Sequence, residues 1–153
     1  MLTKIEVIDK QKEKIPSMSL YSIFTSTFFR RIVLLAWITT ILWLSLDPSP
    51  PVPEPKILGW DKFLHAFAYG CLTFFAGWAL AGSSTLTKSK WGTIACAAII
   101  LGGIVELLQN IFTNTRMAEL SDLLANAVGV GIVLIGVFGF KKYKHRHSEL
   151  PSK

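Results

Sequence analysis

Four long apolar runs, separated by short polar segments, dominate the chain. They cover residues 32–46, 63–82, 91–112 and 123–140. The first becomes 28–46 if Arg30 and Arg31 extend their charged ends to the lipid head groups. A helix needs about 20 mostly apolar residues to cross a bilayer. The pattern therefore predicts an all-α integral membrane protein, a bundle of four antiparallel transmembrane helices.

The connecting segments divide the chain into a central domain and two tails. Residues 47–60 contain five of the seven prolines, and residues 83–90 and 113–121 are short polar turns. We predict a basic cytoplasmic tail over 1–31, a transmembrane domain over 32–140 and a second basic cytoplasmic tail over 141–153. Residues 1–17 are equally compatible with a disordered tail. An interfacial helix is predicted just beyond them, because four apolar residues share a helical face there: Leu20, Ile23, Phe24 and Phe28.

Composition supports the membrane assignment, and the distribution of charge predicts the orientation of the chain in the membrane. The chain has 153 residues, of which 51% are hydrophobic and 17% charged, and its net charge is +6. Of its 16 Lys and Arg residues, 13 fall in segments 1–31, 83–90 and 141–153. Cytoplasmic loops carry this excess, so we predict a multi-pass protein of the cytoplasmic (inner) membrane with both termini inside. This placement of charge also argues against a nucleic acid partner.

Cysteine and histidine usage adds little to this picture. Two cysteines are too few for a disulfide scaffold. Cys71 and Cys96 lie at different depths in their predicted helices, so we interpret both as packing residues. His145 and His147 lie in the basic C-terminal segment, which we interpret as a solvated tail near anionic lipid in preference to a metal site.

Polar side chains interrupt the apolar runs at one predicted end of the bundle. In the predicted orientation they reach the outer leaflet, where a carboxylate costs on the order of 2.5–3.5 kcal/mol to insert. Helical spacing places Asp61, His65 and Tyr69 on one face, and Asp122 and Asn126 on another. The same spacing groups Glu106 with Gln109 and Asn110. The full candidate site is Glu106, His65, Asp61, Arg116, Asp122, Gln109, Asn126, Tyr69 and Lys62.

Several of these residues resemble the motifs of the VanZ-like family over about residues 61–131. Residues 61–69 are similar to its DKxxHFxxY-type element, and residues 106–109 to its ExxQ element. A further run, R…D…N…G, is matched by Arg116, Asp122, Asn126 and Gly129. The family is named after an accessory protein of teicoplanin resistance. The resemblance implies a small polytopic envelope protein with an outward polar site, and it implies no particular reaction.

Three functions remain open from the sequence. The pocket binds an envelope lipid or a lipid-linked cell-wall precursor, with an effect on glycopeptide sensitivity. Alternatively, the protein is a membrane-embedded hydrolase, with His65, Glu106 and Asp122 as candidate ligands of a divalent metal. In the third interpretation the polar residues only hold helices together, at about 0.6 kcal/mol each. A homo-oligomer is compatible with all three.

Overall fold

Four helices make up nearly all of the described chain. The computed structural model describes residues 26–47, 59–81, 85–112 and 119–148. The helices are α1 (Thr27–Leu46), α2 (Trp60–Ala81), α3 (Lys88–Phe112) and α4 (Leu120–Ser148), and the described residues contain no strand. All four are long and apolar enough to cross a membrane. The predicted all-α fold with four candidate spans is confirmed at this level.

Helices α1 and α4 extend beyond their apolar runs into the neighbouring polar residues. Helix α1 begins at Thr27, which matches the longer of its two predicted versions. Helix α4 continues to Ser148, eight residues past the end of its apolar run. Lys and Arg favour helix and no Gly or Pro follows before Pro151, so a segment predicted as tail extends the helix. Lys141 also donates a hydrogen bond of 2.6 Å to the Leu86 carbonyl.

Some sequence predictions fall outside the described residues. These include the N-terminal tail with Leu20, Ile23 and Phe24, the five prolines between α1 and α2, and the segment 113–118 that contains Arg116. Phe28 is described, and it lies exposed in the first turn of α1.

Glycines bring α2 and α4 into close contact. A Cβ atom on Gly70 would lie 3.3 Å from the Gly129 carbonyl oxygen, and a Cβ atom on Gly129 would overlap the Ala66 carbonyl oxygen. Small residues at these positions let two helix backbones approach, as they do in many membrane helix pairs. Helices α2 and α4 therefore form the central pair of the bundle.

The remaining helices pack around this pair. Ile41 of α1, Tyr69 of α2, Ala98 of α3 and Val130 of α4 belong to one buried apolar cluster. Helix α1 is peripheral, because Ile41 is its one buried residue. Its Trp37 indole N–H donates to the Ala68 carbonyl at 3.0 Å. Large apolar side chains remain exposed on all four helices, as lipid-facing surfaces require.

Arg30 of α1 contacts α2, and neither cysteine forms a disulfide. Arg30 donates to the Trp78 carbonyl oxygen at 3.4 Å, and its guanidinium lies 5.5 Å from the Trp78 ring centre. It therefore contacts α2 in addition to any lipid head group. Both cysteines are free thiols, Cys71 half-buried and Cys96 exposed.

Candidate functional site

Polar residues from three helices meet at one end of the bundle. Asp61 lies in the first turn of α2 and Asp122 in the first turn of α4. Glu106 and Gln109 lie in the last two turns of α3. Carboxylates are favoured in the first turn of a helix because the helix dipole is positive there. The local sequence thus places two acids at helix starts, where they can face the residues of α3.

Lys62 joins the exposed part of this site. Its ammonium contacts Asp61 at 3.3 Å and Glu119 at 2.8 Å, and it also forms an ion pair with Asp122. The Asp61 and Glu119 side chains are about half exposed, whereas Asp122 is buried. Lys62 therefore links α2 to α4 and to the residue that precedes α4.

Glu119 is a site residue that the sequence prediction omitted from its candidate set. Besides Lys62, it accepts a hydrogen bond of 2.8 Å from the Ser121 hydroxyl. The hydrogen bond from Lys62 holds the pKa of the Glu119 carboxyl below its usual value. An acid directly before a helix that starts Leu-Ser-Asp was a usable signal, because such residues often accept hydrogen bonds at helix N-termini.

His65 lies at the centre of the site. Its Nδ1 atom is 3.2 Å from Asn126 Oδ1 and 3.6 Å from Glu106 Oε1. Its Nε2 atom is 3.8 Å from Asp61 Oδ1 and 3.9 Å from Asp122 Oδ2. The imidazole thus stands between Asn126 and Glu106 on its Nδ1 side and the two aspartates on its Nε2 side, and of these four residues Asp61 alone is substantially exposed.

Glu106, Asn126 and Tyr69 form the buried floor of the site. Asn126 is fully buried, and Tyr69 and Glu106 are 2% and 6% exposed. Neither Glu106 oxygen has a hydrogen-bond partner of normal geometry among the described residues. The Tyr69 hydroxyl has no hydrogen-bond partner among the described residues either. A buried carboxylate in this state is costly unless something else compensates its charge.

Gln109 belongs to the bundle but does not join the His65 cluster. Its side-chain amide donates a 2.9 Å hydrogen bond to the Ser45 carbonyl oxygen near the end of α1. Asn110, which the helical spacing grouped with it, is exposed. The structure therefore separates these neighbours into an α1-binding residue and a surface residue.

We expect Gln109→Ala to lower the melting temperature, whereas Asn110→Ala leaves it nearly unchanged. Gln109 is 3% exposed, and losing a buried hydrogen bond of this kind costs about 1 kcal/mol or more. The measurement is thermal unfolding of both purified variants in the same detergent. Equal melting temperatures for the two variants would contradict the proposed role of Gln109 in holding α1.

Eight of the nine predicted site residues are described and lie at this end of the bundle, and Arg116 lies outside the described residues. Ser121, a hydroxyl group beside the site that would be available as a nucleophile, is exposed and donates to Glu119. One nitrogen and two oxygens, from His65, Asp61 and Asp122, lie within 4.8 Å of one another. Glu106, a predicted metal ligand, instead lies on the opposite, Nδ1 side of the imidazole.

Comparison with known proteins does not assign a family to the chain. No protein-family model, no curated protein and no solved structure matches it. The resemblance to the VanZ-like family thus remains a prediction from the motifs in residues 61–131.

Proposed function

We propose that the chain is an antiparallel four-helix protein of the bacterial cytoplasmic membrane, with both termini inside and the polar site at the outer boundary. The distribution of Lys and Arg supports this orientation. The meeting of the α2 and α4 starts with the α3 end supports the antiparallel order. In this orientation the basic end of α4, residues 141–147, faces the anionic cytoplasmic leaflet.

We further propose that the polar site binds the head group of an envelope lipid or of a lipid-linked cell-wall precursor. The observation that carries this proposal is the buried Glu106 carboxylate beside His65, which has no hydrogen-bond partner of normal geometry among the described residues. Plain helix contacts explain such a residue poorly, because amide or hydroxyl groups would hold helices at a lower insertion cost.

The exposure of the site suits an amphiphile. Side-chain exposure falls from 57% at Glu119 and 47% at Asp61 to 12% at His65 and 7% at Glu106. The polar side chains of the site therefore become more buried with distance from the helix ends. Exposed apolar side chains such as Phe63 and Leu107 flank the same end of the bundle. In the proposed complex the head group contacts the exposed carboxylates, and the acyl chains lie along these apolar residues.

Charge restricts which head groups fit. The described part of the site contains four carboxylates and Lys62, and Lys62 already contacts three of them. This acidic balance favours a head group that carries an amine, or a phosphate that is held through a cation. A bare phosphate would meet net repulsion.

The test is a thermal-shift experiment on the purified protein in detergent. We expect an amine-bearing or cation-bridged envelope lipid to raise the melting temperature of the wild type, because ligands that bind the folded state stabilise it. Glu106→Gln should remove most of that shift. Asn110→Ala, at an exposed position on the same helix, should keep it.

A different outcome would favour helix packing as the whole role of the site. If no lipid stabilises the wild type and Glu106→Gln alone melts several degrees lower, Glu106 is a structural residue. If Glu106→Gln binds lipid as well as the wild type, the head group lies elsewhere.

A hydrolase that acts on an envelope lipid is a second candidate. It is favoured by the three possible metal ligands His65, Asp61 and Asp122. A metal-activated water would supply the nucleophile there, which removes the need for Ser121. Release of a water-soluble head group from purified lipid would support this reaction. The resemblance to the VanZ-like family adds an effect on glycopeptide sensitivity to either proposal.

A further inference from the structure

Two aspartates each contact both Lys62 and His65. Asp61 directs Oδ2 to Lys62 and Oδ1 to His65 Nε2. Asp122 directs Oδ1 to Lys62 and Oδ2 to His65 Nε2. One oxygen of each aspartate therefore remains on the His65 side of the pair, together with a ring nitrogen. These three atoms come from two helices that glycines hold in close contact.

His65 is oriented as a metal ligand would be. When its Nδ1 carries the proton, it donates to Asn126 Oδ1 and faces Glu106 Oε1. The lone pair of Nε2 then points between two carboxylates, which are acceptors only. Metal-binding histidines have this arrangement, in which the other ring nitrogen donates to a carboxylate or carbonyl group.

The buried Glu106 carboxylate lies behind His65, on the Nδ1 side of the imidazole. Its side chain is 7% exposed and lies 3.6 Å from His65 Nδ1, with no hydrogen-bond partner of normal geometry among the described residues. Its negative charge adds to that of both aspartates and of Glu119. Lys62 balances only part of this charge.

We propose that Asp61, His65 and Asp122 bind a divalent first-row transition cation such as Zn²⁺, with Glu106 and Asn126 as positioning residues behind His65. An imidazole with two carboxylates suits Zn²⁺ better than Mg²⁺ or Ca²⁺. Ligand atoms of a tetrahedral Zn²⁺ site lie about 3.4 Å apart. His65 Nε2 lies 3.8 and 3.9 Å from the two aspartate oxygens, and the three ligand atoms lie within 4.8 Å of one another, so side-chain movements of about 1 Å or less per atom bring them to this value.

Lys62 has a specific place in this proposal. Its ammonium contacts the other oxygens of both aspartates, so it repels a cation bound beside it. Lys62 therefore lowers the affinity of the site for a cation, and its removal should raise that affinity. In a salt-bridge network without a cation site, removal of Lys62 would change stability alone. The exposed side of Asp61 leaves room for water or a lipid phosphate at the cation. That last link rests on the proposed function, whereas the cation site does not.

The experiment is a Zn²⁺ titration by calorimetry of the full chain, purified in detergent without a histidine tag and without added lipid. We expect one Zn²⁺ per chain and little response to Mg²⁺. Asp122→Asn and His65→Gln should each weaken binding by about a hundredfold. Lys62→Met should tighten it by about tenfold.

A matched control separates this site from the histidines of α4. The double variant His145→Gln, His147→Gln should bind Zn²⁺ as the wild type does. X-ray absorption of the wild-type complex, which does not depend on the folding of any variant, should show one imidazole nitrogen with oxygen ligands. Two imidazoles, or loss of binding in the double variant alone, would assign the ion to the α4 end and overturn the proposal.

Absence of binding in both the wild type and Lys62→Met would also overturn it. Because no lipid is present, that result leaves the lipid-binding proposal open to its own thermal-shift test. Conversely, if the protein binds Zn²⁺ but no lipid changes its melting temperature, the cation proposal stands and the head-group proposal is rejected.

Discussion

Gly129→Ala is expected to destabilise the protein by about 3 kcal/mol. A Cβ atom at this position would overlap the carbonyl group of Ala66, and backbone atoms cannot move aside as a flexible side chain can. Overpacking of this kind costs typically 1–3 kcal/mol, and here it separates the two helices that build the site. Thermal or denaturant unfolding in detergent measures the loss.

Gly131→Ala and Gly136→Ala are the matched controls for this substitution. Both glycines lie on α4, and a Cβ atom at either meets nothing within 4 Å. Alanine favours helix over glycine by about 1 kcal/mol, so these variants should be as stable as the wild type or more stable. A loss of similar size in all three variants would show that glycine flexibility in α4, and not the contact with α2, determines stability.

Lys62→Met is expected to destabilise the protein by about 2 kcal/mol when no divalent cation is present. It leaves Asp61, Glu119 and Asp122 close together without their shared ammonium. Breaking a buried ion pair costs about 3–5 kcal/mol, and we reduce this figure because Lys62 is 36% exposed.

A double-mutant cycle with Asp122→Asn tests the cause of this loss. Removing the buried partner charge should restore part of the stability in Lys62→Met, so the two effects should not add. The melting temperatures of the wild type, both single variants and the double variant give the coupling. Additive losses would mean that Lys62 does not stabilise the protein through the charge of Asp122.

Hydrophobic patterning predicted the fold class because each span needs a long apolar run, and the sequence contains four. It was less accurate at the ends, where polar residues continue a helix without changing its backbone. Helix α4 is the clearest case, since residues 141–148 are basic and helical at once. Which helices form the closest pair was not predictable, because small-residue spacing occurs in α2, α3 and α4 alike.

Helical spacing predicted most of the candidate site, because residues four positions apart share a face. His65 with Asp61 on α2, and Asp122 with Asn126 on α4, do come together. Spacing alone could not tell Gln109 from Asn110, since both lie within a turn of Glu106. The division of each aspartate between Lys62 and His65 depends on the distance between α2 and α4, which no local pattern specifies.

The site draws Asp122 and Asn126 from the last helix, and this has a consequence for biosynthesis. Chains are made from the N-terminus, so α2 and α3 enter the bilayer before α4 exists. During that interval Lys62 lacks Glu119 and Asp122, His65 lacks Asn126, and Glu106 is already at the membrane. The nascent chain therefore carries polar groups whose partners arrive only with α4 and the residue that precedes it. Insertion of α4 is the step that completes both the bundle and its polar centre, and a ribosome stalled before it would leave an intermediate suited to recognition by membrane quality control.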